Sequence, residues 1–265
     1  MRVALSARVE LRWLTVTRLT LGVAALLLAF DTRDVMVDVA RTDRIRIPVL
    51  EMLPTPTRTL ANVVLVVWVL AGLLVLIGRL AGPVLIAALG VFVQLIDEQL
   101  YSNHLTLVIL LMVFLACAIA ESDATRTRYW PLFLMKTQLA TLYLWTGVAK
   151  MNSSYLEGET IESGTVSWLR ERASDRFFVV VAVAILVTEL FLAVALWSRP
   201  LRPVAYVVGV GMHVGIMAIG SLPVELIPFG LATLAVYPLF LLDPVFGQGG
   251  WPTWLRSRGP ALIGQ

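Results

Sequence analysis

Apolar residues in this chain come in membrane-length blocks broken by short polar connections. Eight can be drawn: Trp13 to Phe30, Leu60 to Ile77, Leu80 to Ile96, Leu105 to Ala120, Tyr129 to Val148, Phe177 to Trp197, Val204 to Ile219 and Pro228 to Leu242. A spanning helix takes roughly 20 residues, whereas a barrel strand takes about ten and alternates apolar with polar positions. The blocks are too long for strands and do not alternate. The pattern predicts an all-α, polytopic membrane bundle of about eight transmembrane helices, a single domain over 1–265 with no room for a separate soluble domain. There is no internal repeat and no low-complexity segment.

Composition agrees. With 58% hydrophobic residues and a mean hydropathy of +0.84, the chain is too apolar for an ordinary soluble globule, and the lipid bilayer is its first expected partner. The net charge of +3 comes from arginines placed mostly in connections, which reads as an orientation signal and not as a nucleic-acid surface. Arg2, Arg8 and Arg12, Arg79, Arg126 and Arg128, Arg199 and Arg202, and Arg256 with Arg258 fall on one side of an eight-span arrangement. The short loops of the other side, around Asp97-Glu98 and Glu225, hold no lysine or arginine. Both termini are therefore expected to be cytoplasmic, in a plasma membrane, with the mixed-charge connections Asp31 to Thr59 and Ala149 to Arg176 facing outward.

The first apolar block passes into Asp31-Thr32-Arg33-Asp34 without a small-residue cleavage pattern, so it is expected to remain as a span. Cys117, the one cysteine, lies inside an apolar block and reads as a packing residue. It excludes an intrachain disulfide and the paired thiols of dithiol-quinone enzymes, while leaving quinone chemistry by another route open.

Candidate chemistry collects in two places. Lys136 and Lys150 are the only lysines, both on the run Tyr129 to Gly158. Lysine, unlike arginine, readily gives up its proton when buried. Lys150 at the end of that run is the first candidate base, although lysines at helix ends also snorkel toward headgroups and do nothing more. The polar run Asp97-Glu98-Gln99-Leu100-Tyr101-Ser102-Asn103-His104 is squeezed between apolar blocks at the same outer face. It reads either as an ordinary polar turn or as a pocket mouth opposite Lys150.

A deeper group comprises Arg18, Lys136, Gln138, Glu189 and His213. Taking a helical rise, Arg18, Lys136, Glu189 and His213 come out roughly 8 to 14 Å from the cytoplasmic ends of their spans, in one layer. Pairing of the cations with Glu189 inside the bundle is expected there. It serves either as an ion-pair network fixing the packing or as a proton path. Lys136, Tyr143, Gly147 and Lys150 fall on one helix face. His104 and His213, the only histidines, are expected at different depths, so no metal is expected.

These residues carry a resemblance. Tyr101-Ser102-Asn103-His104-Leu105, Lys136-Thr137-Gln138 leading through Tyr143 to Gly147-Val148-Ala149-Lys150-Met151, and Tyr155-Leu156-Glu157-Gly158 resemble the membrane core, or HTTM domain, of vitamin K-dependent gamma-carboxylases. Thr17-Arg18-Leu19-Thr20-Leu21-Gly22, Arg46-Ile47-Pro48, Thr188-Glu189-Leu190 and His213 agree in the same order.

The resemblance implies a stand-alone bacterial-type member that oxidises a reduced menaquinone or vitamin K-type quinone with oxygen. Carboxylation or a related proton abstraction would follow on an unknown peptide or small-molecule substrate. It implies Lys150 as base, with His104 and Asn103 beside the reacting species; Tyr101, Tyr143 and Glu98 read as residues of the substrate or cofactor pocket. Ala149 stands where the animal carboxylases carry a second lysine, and the chain after Leu242 is short, so propeptide-directed carboxylation is not expected. A non-catalytic HTTM protein serving maturation, export or immunity of a secreted peptide is the alternative. A haem-bearing electron carrier is the third reading.

Overall fold

The computed structural model describes residues 5–41, 45–221 and 223–242, with side chains from 226 onward in the last stretch. Arg2, Arg256, Arg258 and the side chain of Glu225, all used in the charge reading, lie outside the described residues.

Of the described residues 75% are helical. The helices are α1 (Leu11–Val39), α2 (Arg58–Leu76), α3 (Ala81–Ile96), α4 (Asn103–Ala120), α5 (Tyr129–Ala149), the short α6 (Ser153–Leu156), α7 (Glu159–Ser163) and α8 (Ser167–Arg170), then α9 (Asp175–Ala195), α10 (Arg202–Ile219) and α11 (Pro223–Leu234). Single 3-10 turns lie at Glu98–Leu100 and Tyr237–Leu241.

Among the described residues five helices, α1, α2, α4, α9 and α10, are long and apolar enough to cross a membrane. The expected eight spans are not established. α3 has only 16 residues, α5 is more polar, and the last block is broken into α11, which contains Pro228, and a 3-10 turn. A proline inside a helix removes a backbone bond and stops regular continuation.

The first helix runs past the expected end at Phe30. Buried Leu21, Ala25, Leu28, Thr32, Met36 and Val39 recur at three and four residues, so one apolar stripe continues beneath the charged run. Arg33 and Asp34 turn outward instead, Arg33 pairing with Asp34 and donating from Nε to Asn62 Oδ1 at 3.2 Å.

The long helices pack as a closed circuit: α1 on α2, α2 on α3, α3 on α4, α4 on α5, α5 on α9, α9 on α10, α10 on α11, and α11 back on α1. Exposed valines at Val180, Val183, Val187 and Val194 on α9, and at Val204, Val207, Val210 and Val214 on α10, form the apolar outer surface. These apolar helices embed the protein in a membrane.

One feature was not foreseen: a two-stranded antiparallel ribbon, β1 (Arg8–Glu10) with β2 (Arg126–Arg128), in register Arg8↔Arg128. It brings two of the basic connections to the same end of the bundle. Asp123, paired with Arg8, accepts from the amides of Thr125 and Arg126 at 2.9 and 2.8 Å and closes the turn into β2.

The antiparallel pair α5 and α9 positions the site, and it is staggered. Gly147 packs against Leu190 and Glu189, so α9 extends about 18 Å beyond the end of α5. The connection folds back along that overhang. At Gly158 the backbone takes φ +86, and a Cβ there would come within 2.8 Å of the Phe178 and Val179 backbone. Glycine satisfies both demands.

Candidate functional site

Lys150 is the C-cap of α5, its backbone N–H held by Thr146 and Gly147 carbonyls at 3.1 and 3.2 Å. Because α9 outruns α5, the lysine lies alongside α9 and not at its outer tip. Its Nζ donates to both carboxylate oxygens of Glu189 at 2.7 Å. The lysine side chain is 24% exposed and the glutamate 9%. The Tyr155 ring of α6 lies 5.6 Å from the same Nζ.

The polar run before α4 is folded by its own side chains. Buried Asp97 accepts from the amides of Gln99 and Ile47 at 3.0 and 3.1 Å. Ser102 caps α4, and Gln94 donates to the Ser102 carbonyl at 3.1 Å and to Thr106 Oγ1 at 2.8 Å. That cap places Asn103 and His104 in the first turn of α4. The His104 ring packs on Phe229 of α11 with centroids 4.3 Å apart, and His213 of α10 meets the same phenylalanine edge-on at 6.1 Å.

These parts enclose a cavity of about 300 Å³. Asn103, His104, Lys150, Glu189, Tyr155 and His213 supply its polar wall, and Leu142, Ile185, Ile216, Met217, Leu226 and Phe229 its apolar wall. Tyr155 is buried, and its hydroxyl has no hydrogen-bond partner among the described residues. Burial, with the Glu189 charge adding to it, pushes that phenol well above its ordinary range, so it stays protonated.

Several expectations need correction. The layer of Arg18, Lys136, Glu189 and His213 does not form. Arg18, half-buried, donates to the Val75 and Leu76 carbonyls at the end of α2. Lys136 donates to Tyr129 Oη at 2.8 Å and to the Leu242 carbonyl at 3.2 Å, with the Tyr129, Trp197 and Phe240 rings 5.0 to 5.3 Å away. Glu189 goes to Lys150, because helix ends do not lie in common planes. Gln138 is only half-buried.

Glu98 is exposed and does not line the cavity. Tyr101, also exposed, donates to Asn103 Oδ1 at 3.0 Å and lines a separate cavity of about 240 Å³ with Asp31, Gln99 and the other side of His104. Tyr143 lies behind the wall, its hydroxyl 2.9 Å from both His213 Nε2 and Tyr237 Oη. His213 is also 3.0 Å from Thr233 Oγ1. The two histidines share one cavity, contrary to the depths expected. Among the described residues no three His, Cys, Asp or Glu side chains gather as a metal site.

Sequence reasoning missed Thr233, Tyr237 and Phe229. All three lie in the broken last block, where the only signal was Tyr237-Pro238 interrupting an apolar run.

No curated protein and no solved structure matches the chain. The HTTM domain matches residues 7–243, a stretch that takes in α1 through α11, the Lys150 cavity and both histidines. The chain belongs to the HTTM domain family, the membrane core of vitamin K-dependent carboxylases.

Proposed function

We propose that the protein is a vitamin K-dependent carboxylase-like enzyme of the plasma membrane, both termini cytoplasmic, that oxidises a reduced naphthoquinone with oxygen. The observation that carries this reading is the meeting of Lys150, Glu189 and His104 on the wall of one largely apolar cavity. A quinol ring fits those walls: aliphatic side chains and Phe229 suit its faces, and His104 and Asn103 suit its oxygens. When bound, the quinol supplies reducing equivalents to oxygen and so drives carboxylation or another proton abstraction on a peptide or small molecule.

The chain's own part is proton handling and positioning. The Lys150–Glu189 pair takes one proton from a hydroquinone hydroxyl and ends as ammonium beside carboxylic acid, a net gain of one positive charge that offsets the quinol anion. The base is thus the pair, both of whose members line the cavity. His104, fixed by stacking on Phe229, and Asn103, fixed through Tyr101, are the hydrogen-bonding groups facing the reacting species.

The test is oxygen consumption by purified protein in detergent with reduced menaquinone. Loss of turnover in Lys150→Ala and in Glu189→Gln, with retained folding, supports the assignment; unchanged turnover in Lys150→Ala overturns it.

The closed, bidentate form of the Lys150–Glu189 contact favours a second reading, in which the pair only clamps α5 to α9. The protein then serves maturation, export or immunity of a secreted peptide without catalysis. That reading predicts a co-purifying peptide and no quinone binding.

A further inference from the structure

Arg18 carries a charge that no carboxylate among the described residues balances. It lies about two turns, roughly 10 Å, into α1, a helix long and apolar enough to cross a membrane. The side chain is half-buried, and a guanidinium does not escape the cost of burial by losing its proton. Its Nη1 donates to the Val75 and Leu76 carbonyls, to the former at 2.9 Å. The turn leaving α2 is otherwise closed by its own backbone: Gly78, at φ +79, donates to the Val75 carbonyl and Arg79 to the Leu74 carbonyl, both at 2.9 Å. Only the Leu76 carbonyl therefore depends on the arginine. Nε and Nη2 have no acceptor among the described residues.

Arg18 lines a cavity of about 150 Å³ between the start of α1, the turn after α2 and the end of α4. Thr15 and Ser122 bring hydroxyls to its wall, Leu14 and Ile119 bring apolar surface, and no acidic residue lines it. Arg12 and Arg79, both exposed, directly follow Leu11 and Gly78 of that wall, and they too pair with no carboxylate among the described residues. The cavity shares no residue with the one around Lys150.

We propose that this cavity binds the phosphate of an anionic phospholipid, held by the Nε and Nη2 donors of Arg18. Two N–H groups in one plane match two phosphate oxygens, and the anion supplies the countercharge that a half-buried guanidinium needs. The Thr15 and Ser122 hydroxyls donate to the Leu11 and Ala118 carbonyls of their own helices, and each can turn to a phosphate oxygen instead. Lipid is the favoured source because Val16, Leu19 and Ile77, next in sequence to Thr15, Arg18 and Gly78, are exposed apolar residues. Acyl chains lie along that rim, whereas a free phosphate would gain nothing from it. Arg12 and Arg79 add positive charge beside the site and favour an anionic head group over a zwitterionic one.

The test uses delipidated full-length protein in a non-ionic detergent, with phosphatidylglycerol, phosphatidylcholine and inorganic phosphate as probes. Binding is read by native mass spectrometry and by the rise in thermal unfolding temperature that each probe gives. Arg18→Gln removes the charge. Thr15→Leu puts a larger apolar side chain into the wall while leaving both Arg18 bonds to α2, so it blocks the site without removing the arginine. Arg126→Gln on β2 takes the same charge from an exposed position outside the cavity and is the control.

The expected result is a loss of phosphatidylglycerol affinity of roughly tenfold in Arg18→Gln and in Thr15→Leu, with Arg126→Gln within about twofold of wild type. If Arg18→Gln fails to fold, Thr15→Leu decides alone. Wild-type affinity in Thr15→Leu overturns the site, as does a loss in Arg126→Gln equal to that in Arg18→Gln, which would show attraction to net charge only. Inorganic phosphate binding as tightly as phosphatidylglycerol overturns the lipid source, and equal binding of the two lipids overturns the preference for an anionic one.

Discussion

Lys150 places its Nζ 2.7 Å from each carboxylate oxygen of Glu189, a residue thirty-nine positions later in the chain. The contact ties the end of α5 to the interior of α9, with most of both side chains removed from water. Removing one partner leaves the other's charge uncompensated. Lys150→Met or Glu189→Leu alone is expected to cost about 2–4 kcal/mol, below the cost for a fully buried pair because part of the lysine is solvated. The double variant is expected to recover most of that loss, as measured by thermal unfolding in detergent. Singles as stable as wild type would mean that the pair does not hold the helices together.

The membrane bundle was legible because apolar run length is a direct consequence of bilayer thickness. The face of α5 bearing Lys136, Tyr143 and Gly147 was legible from helical spacing, and all three are buried. Partnerships across helices were not legible. Glu189 was counted in from the wrong reference plane, since nothing in α5 or α9 alone records that one helix overshoots the other. Their register is set by Gly147 against Leu190 and by the folded connection around Gly158, both tertiary facts. The broken block after Ile219 hid Phe229, Thr233 and Tyr237 for a similar reason: an apolar run with two interior prolines is equally compatible with one span or two pieces.

Lys136 shows how a buried lysine is accommodated away from the site. Its ammonium donates to Tyr129 Oη and the Leu242 carbonyl amid three aromatic rings, an arrangement in which ring quadrupoles and oxygen acceptors replace water. Lys136→Met keeps the volume and loses these interactions, leaving the Leu242 carbonyl without this donor. It is expected to cost about 2–3 kcal/mol in thermal unfolding while leaving binding of reduced menaquinone in the Lys150 cavity unchanged. A loss of binding with unchanged stability would contradict this structural role.

Asp123 makes the β1–β2 end of the bundle sensitive to acid. The Thr125 and Arg126 amides, with Arg8 adding to them, hold its carboxyl below the ordinary carboxylate range. A depressed folded-state value means that the carboxylate's contribution is complete above the unfolded value and fades as pH falls through the folded one. Protection of the Thr125 and Arg126 amides, corrected for intrinsic exchange, is therefore expected to be flat near neutral pH and to fall only below about pH 4. Asp123→Asn is expected to lower protection at neutral pH and to flatten the acid dependence.

Gly158 connects local backbone chemistry to the cavity. At φ +86 an alanine carries a conformational penalty of about 1–2 kcal/mol, and its Cβ would lie 2.8 Å from the Phe178 and Val179 backbone. Backbone cannot rotate away as the end of a side chain can, so the connection itself has to move off α9. Tyr155 lies three residues earlier, its ring beside the Lys150 ammonium, and it must move with that connection. Gly158→Ala is therefore expected to lower stability by more than the conformational penalty alone, about 3 kcal/mol in total, and to weaken binding of reduced menaquinone in the Lys150 cavity. Tyr155→Phe removes the unpartnered hydroxyl without disturbing the turn, so it separates the two effects: stability equal to or above wild type, because a buried group lacking a partner has gone, and binding of reduced menaquinone as in wild type, because the hydroxyl oxygen has no open space beside it. Weaker binding in Tyr155→Phe would show that its hydroxyl reaches a ligand and that the effect of Gly158→Ala is not one of shape alone.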